Sequence, residues 1–285
     1  MRNTVDAPLG RSSLRRLGIH ALIIAGAVVM LYPLLWMLSS SFKPADEIFG
    51  NPGLWPEEFV VQNYTEGWFG LGPSFGRFFM NSFIVSIGAV VGNVVACSMA
   101  AYAFARLEFR YKPIWFALML VSIMLPIHVL LVPQYVLFLN IGWVNTFLPL
   151  IVPKFLAVDA FFIFLMVQFI RSLPRELDDA AKVDGCGPVQ VYWRIILPLL
   201  VPALVTTSIF TFIWTWDDFF SQIIYLNDVT NYTVPLALRA FLDSSGESSW
   251  GPMFAMATLS LIPTFVFFLT FQKFIVEGIS TTGLK

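Results

Sequence analysis

The sequence predicts an all-α integral membrane protein of six transmembrane helices, and three observations carry that prediction. Of its 285 residues, 58% are hydrophobic and only 12% are charged, and the mean hydropathy is +0.76. Such a chain has too little polar surface to coat a soluble globule. Its apolar residues fall in runs of about 20, the length at which a helix crosses a hydrocarbon core of about 30 Å with its backbone hydrogen-bonded internally. Basic residues, finally, collect in alternate connectors, which threads the runs back and forth across a bilayer.

The first run, 17–39, follows Arg11, Arg15 and Arg16. It is longer than the apolar core of a signal peptide and lacks a small-residue cleavage site, so it reads as an anchor. Further runs cover 78–105, 114–139, 147–170, 197–226 and 252–275. Between them lie polar or Pro/Gly-rich connectors at 40–77, 106–113, 140–146, 171–194 and 227–251. A tail at 276–285 follows the last run, and a segment at 1–16 precedes the first. Cys97 falls in an apolar run and Cys186 in a connector, so no disulfide framework or metal site is expected.

Charge sets the orientation. Arg2, Arg11, Arg15 and Arg16, then Arg106, Arg110 and Lys112, then Arg171, Arg175, Lys182 and Arg194, and finally Lys273 and Lys285, alternate with segments holding only Lys43, Arg77 and Arg239. Lys/Arg-rich connectors stay cytoplasmic, which puts both termini on the cytoplasmic side and makes the number of spans even. The opposite connectors are acidic, with Asp46, Glu47, Glu57, Glu58 and Glu66 in the first and Asp228, Asp243 and Glu247 in the last. Trp55, Trp68 and Phe69 read as an interfacial belt. A net charge of −1 goes with no expectation of a nucleic-acid partner.

The inner connector at 171–197 is the most informative stretch. Pro174 suits a first helical position, Glu176, Asp178 and Asp179 occupy the positive end of the helix dipole, and Gly185 supplies a left-handed stop. A short helix of about three turns is predicted, then a second that starts near Pro188 and breaks at Pro198, where the fifth span resumes. Neither helix is apolar enough to enter lipid. Ala180 and Ala181 are read as a small-residue face for another protein's groove; a solvated loop is the plainer alternative.

At these residues the chain resembles a known family. Asp179-Ala180-Ala181, then Asp184-Gly185 and Ile195-x-Leu197-Pro198, are similar to the EAA motif of permease subunits in binding-protein-dependent ABC importers. Asp179 departs from the family's usual glutamate by one methylene. The resemblance extends through Ser40-Ser41-Phe42-Lys43-Pro44, Asn81-Ser82, the run Ala100 to Arg106, Trp214-Thr215-Trp216-Asp217-Asp218-Phe219 and the tail from Gly278 to Lys285. Together these look like the carbohydrate-importing, maltose-type branch, in its short six-helix partner.

The resemblance implies a type I ABC importer permease fold, with a transmembrane type-1 core over 78–275 and a cytoplasmic coupling helix within 174–198. It implies a heterodimer with a second permease subunit, two ATPase subunits below and an extracytoplasmic solute-binding protein above. Glu176, Asp179, Ala180, Ala181, Asp184, Gly185, Ile195, Leu197 and Pro198 would then carry the contact with the ATPase. The tail would lie against the ATPase pair. The outer loop would touch the binding protein through Asn231, Arg239, Asp243 and Trp250, a plain solvated connector being the other reading. The chain itself has no G-x-x-x-x-G-K-[ST] phosphate loop, so ATP and Mg2+ belong to the partner subunits and no cofactor is expected here.

Charges inside the runs are candidates for a substrate path, because an intramembrane ion faces a partner or a water-filled cavity. Lys154 and Asp159, five apart, lie off one helical face, and a structural pair is favoured over a sugar contact. Trp214, Trp216, Asp217 and Asp218 set aromatic plates beside carboxylates, which suits a sugar ring's apolar face and hydroxyls. His128, near Pro126 and Pro133, reads as a hydrogen-bonded helix residue. An ion-coupled secondary carrier of a small polar solute stays open as the alternative, although it typically shows an internal repeat with interrupted helices, and none is evident. A membrane-embedded enzyme would need clustered His, Asp or Glu on one face, whereas His20 and His128 fall on opposite sides.

Overall fold

The computed structural model describes residues 11–243 and 249–282, and every described element is helical. The order is α1 (Arg11–Ser40), α2 (Ala45–Gly50), α3 (Gln62–Phe69), α4 (Phe75–Arg106), α5 (Lys112–Ser122) and α6 (Ile127–Asn140). Next come α7 (Leu148–Ile151), a 3-10 turn (Val152–Leu156), α8 (Ala160–Ser172), α9 (Glu176–Val183), α10 (Pro188–Val191), a π turn (Tyr192–Ile196) and α11 (Leu197–Leu199). The chain ends in α12 (Val201–Trp216), α13 (Phe220–Tyr225), a 3-10 turn (Val229–Asn231), α14 (Val234–Asp243) and α15 (Trp250–Thr282).

Among the described residues, four stretches are long and apolar enough to cross a membrane: Arg15–Ser40, Phe75–Arg106, Leu148–Ser172 and Trp250–Lys273. The pair Pro188–Leu199 and Val201–Trp216, bent by 73°, makes a fifth. The predicted run 114–139 is instead two shorter apolar helices, α5 and α6, because Pro126 stands as the extended N-cap of α6 and biases its predecessor away from helix. The run at 147–170 is interrupted too: Ala157 takes a left-handed φ of 54° between the 3-10 turn and α8.

α4 is the central post. α8, α12 and the 3-10 turn 152–156 pack along it, and α12 and α3 pack on α15. Gly88 and Gly92 allow the close approach of the 3-10 turn region to α4, since a Cβ on Gly92 would stand 2.7 Å from the Phe155 ring and 3.1 Å from the Lys154 carbonyl carbon. Apolar cores form at both ends of α4. Phe75 and Phe78 pack with Phe212, Trp216, Phe241 and Met256 at one end, and Tyr102, Phe162, Met166, Ala181 and Tyr192 join a second cluster at the other. α1 leans on α15 through Trp36 and Phe254, 5.4 Å apart, and its residues 15–35 are exposed.

The connector 40–77 is a folded cap rather than a belt alone. Lys43 is fully buried and its Nζ donates to the carbonyls of Asn51 (2.7 Å) and Gly53 (2.6 Å). Asn63 donates to the carbonyls of Ser41 and Lys43. Trp55 and Phe69 remain exposed, but Trp68 turns in against Phe75 and Phe79.

Candidate functional site

α9 is a knob of about two turns at one end of the bundle, shorter than the three turns expected. Its first turn holds Glu176, Asp178 and Asp179 against the helix dipole, and the Arg175 carbonyl accepts the amides of Asp178 (2.9 Å) and Asp179 (3.1 Å). Gly185 ends it as expected, at φ 78°, and the Cys186 amide reaches back to the Ala181 carbonyl at 2.9 Å. Glu176, Asp179, Ala180, Asp184 and Gly185 all face outward, and Val183 is 89% exposed.

Ala181 does not share that face. Adjacent helix residues point about 100° apart, and Ala181 is buried in the cluster with Tyr102, Val191 and Tyr192. The small-residue docking face therefore reduces to Ala180, with Val183 beside it as an apolar contact that acidic and glycine signals did not reveal. Asp178 is buried as well. On the return leg α10 starts at Pro188 as expected, and Gly187 N–H donates to Gln190 Oε1 at 2.9 Å. The bend falls at Leu200, two residues past Pro198. Ile195 and Leu197 are half-buried, Pro198 is exposed, and Ile196 is the residue that plugs the core.

Four polar contacts tie this leg to the C-terminal end of α4. Tyr102 Oη donates to the Pro188 carbonyl at 3.0 Å, Ser98 Oγ and Tyr192 Oη lie 2.8 Å apart, Arg106 Nη2 donates to the Leu173 carbonyl at 2.8 Å, and Arg106 Nε stands 2.9 Å from Asp178 Oδ2. The Arg106 and Asp178 side chains are 6% and 11% exposed. Their contact is ionic without the alignment of a hydrogen bond, and Asp178 Oδ1 has no partner. Asp178 as a residue lines a cavity of about 190 Å³ together with Tyr102, Arg175, Asp179 and Lys182. Lys182 and Asp179 pair at 2.9 Å on the exposed rim.

The intramembrane candidates separate into two groups. Lys154 Nζ and Asp159 Oδ2 pair at 2.8 Å, with both side chains a little over a quarter exposed. Five-residue spacing would separate them on a helix, but the 3-10 turn and left-handed Ala157 fold the chain back between them. Trp214 is exposed among Phe161, Phe162 and Phe210. Trp216 departs from the expectation of a sugar-facing plate: it is 2% exposed, its Nε1 donates to the Ser260 carbonyl, and Phe83 and Phe212 cover its faces. Asp217 ends α12 and is exposed, while Asp218 Oδ1 accepts the Ser221 amide at 3.0 Å, a cap for α13.

At the opposite end of α4, the loop after α13 is held by Asn145, left-handed at φ 63°. Its Oδ1 accepts the amides of Asn227 and Asp228, and Asn231 Nδ2 donates to its carbonyl at 2.9 Å. Asn231 is thus engaged within the chain. Asp228 accepts from the Thr230 hydroxyl and amide, which hold its carboxyl below the usual range. The exposed Arg239 lies over the Phe219 ring, and Trp250 meets Phe49 edge-on at 5.0 Å. The Asp243 side chain, Glu247, the His128 side chain, and the side chains of the tail fall outside the described residues.

Residues 92–281 match the family described as binding-protein-dependent transport system inner membrane component. A probable ABC transporter permease protein of Bacillus subtilis, YurM, is 36% identical over 258 residues, spanning 90% of this chain and 85% of that protein. NgcG of Streptomyces coelicolor, a diacetylchitobiose uptake system permease protein, is 29% identical over 92% of this chain and 86% of its own length. The fold is similar to a chain in the crystal structure of a bacterial ABC transporter involved in the import of the acidic polysaccharide alginate, with a TM-score of 0.79 and 20% identity over 94% of this chain and all of that one.

Proposed function

The chain belongs to the family of binding-protein-dependent transport system inner membrane components, and on that premise we propose that it passes a sugar or related polyol from an external binding protein into the cytoplasm. It does so as one half of a permease heterodimer above two ATPase subunits that bind ATP and Mg2+. The observation that carries the coupling reading is α9: a capped, acidic knob with Ala180 and Val183 facing out, anchored beneath by buried contacts to α4. Arg106, Arg110, Lys112, Arg171, Arg175 and Arg194 around it support a cytoplasmic placement, which sets both termini inside. The sugar class rests on relatives such as NgcG, whose name specifies diacetylchitobiose uptake.

ATP-driven closure of the ATPase pair would carry α9 with it and switch the bundle between openings, a rigid-body change between discrete packings. Energy enters this subunit by contact, and hydrolysis is assigned to the partners. Lys154, Asp159 and the exposed Trp214 are the candidates for the path, and the loop holding Asn231, Arg239 and Trp250 is the candidate contact for the binding protein.

Purification of the detergent-extracted assembly tests this. Recovery of an ATPase subunit, with uptake that requires ATP and the binding protein, is the expected result; ATP-independent uptake driven by an ion gradient would replace it with a secondary carrier. Ala180→Arg and Val183→Asp, on the exposed face, should leave insertion intact while abolishing solute-stimulated ATP hydrolysis. Normal stimulation in both would remove α9 from the interface.

A further inference from the structure

We infer that Arg106 and Asp178 form the joint through which α9 moves α4, and that they act as positioning residues of the transport cycle; the inference rests on the coupling reading of α9. The covalent routes out of α9 are soft. Toward α10 the chain passes through Gly185 and Gly187, where nothing lies within 4 Å of an added Cβ. Toward α8 it passes through Leu173 and Pro174, an extended pair outside any helix. A displacement of the knob carried by these links alone would be absorbed in backbone dihedrals.

Arg106 bypasses both. It is the last residue of α4, and its guanidinium grips the first turn of α9 at Asp178 and the end of α8 at the Leu173 carbonyl. The Leu173 hydrogen bond fixes the orientation of the planar guanidinium, and the ion pair then ties Asp178 to it at 2.9 Å. The pair is buried on both sides, so solvent does not screen it as it screens Lys182 and Asp179 on the rim. A buried ion pair gives less stability than an apolar contact of the same volume would, and its attested uses are in fixing register and in switching. The buried Asp178 Oδ1, which has no hydrogen-bond partner, fits a joint that reseats, since the carboxylate keeps a second oxygen that could take over the guanidinium when α9 shifts.

The test uses the assembled transporter in proteoliposomes with wild type, Asp178→Asn, Arg106→Lys and the exchange Arg106→Asp with Asp178→Arg. Solute moved per ATP hydrolysed is the readout, together with a bismaleimide cross-link from Val183→Cys, with Cys186→Ser, to single cysteines introduced along the facing surface of the ATPase subunit. Asp178→Asn keeps shape and removes charge; the expected result is a fall of about tenfold in solute moved per ATP with the cross-link retained. Arg106→Lys should fall between this and wild type, and the exchange should recover above Asp178→Asn. An unchanged ratio with the cross-link present overturns the joint alone, while absence of the cross-link in the otherwise wild-type transporter overturns the coupling reading beneath it. Failure of Asp178→Asn to assemble, unrelieved in the exchange variant, overturns the joint in favour of a purely structural pair.

Discussion

The two ends of α4 are fastened by different chemistry. At its start, Asn81 Nδ2 donates to the carbonyls of Thr230 and Tyr232, Ser82 Oγ accepts the Val234 amide, and Arg77 Nε donates to the Thr230 carbonyl, all over a floor of fully buried Phe75 and Phe78. At its finish, a buried ion pair with one idle carboxylate oxygen meets α9, backed by the hydroxyls of Tyr102 and Tyr192. An amide bridging two carbonyls is satisfied in a single geometry and resists change. A carboxylate with a spare oxygen has a second geometry of similar energy. One end of the post is built as a fixture and the other as a bearing, and the bearing lies under the surface proposed to receive force.

Substitutions along α4 sharpen that contrast. Arg106→Ala should be the most destabilising, by about 3–5 kcal/mol, because it leaves the Asp178 charge buried alone; the thermal midpoint in detergent reports it. Asn81→Ala should cost about 1–3 kcal/mol, because the part-buried Tyr232 carbonyl loses its donor while that of Thr230 keeps Arg77, and should slow no step that depends on ATP. Equal midpoint shifts for the two variants would erase the distinction between the ends. Midway, Gly92→Ala drives a methyl into the Phe155 ring and the Lys154 backbone, and should cost about 1–3 kcal/mol by overpacking. Lys182→Ala, at the exposed rim pair, should change stability by less than about 1 kcal/mol.

The smallest effect concerns pH. Asp228 has its carboxyl held below the usual range by Thr230, so the stability it lends the loop is present above its unfolded value near about 4 and is lost as the pH falls through the lower folded one. Protease nicking of the loop should accordingly stay constant from about pH 8 down to about pH 5.

Much of the layout was legible because its signals are local. Pro174 and Gly185 bracket a helix by backbone rules that need no tertiary partner, and α9 stands between them. Apolar run length likewise located the spans, but it is blind to interruption: the run at 114–139 stays apolar through Pro126 and so hid the break between α5 and α6. The structural pair expected of Lys154 and Asp159 forms by a route that helical spacing does not supply, because the backbone between them is not helical. Face assignments failed where the environment decides them, as for Trp216, whose indole found Ser260 and two phenyl rings, and for Ala181, turned inward by the angle between neighbours. Arg106 entered the sequence reading as one positive charge among several and as the end of the run from Ala100, with no partner assigned. Its meeting with Asp178 joins two distant stretches of chain, and no spacing rule reaches across them.

The 73° bend at Leu200 sets the axis of the helix leading from the knob nearly across that of the fifth span. A rod loaded along its axis delivers thrust, whereas a cranked one delivers torque. A push on the segment Pro188–Leu199 itself would therefore turn α12 about its own length rather than slide it through the lipid, whereas motion of the knob would reach the bundle through Arg106 and Asp178.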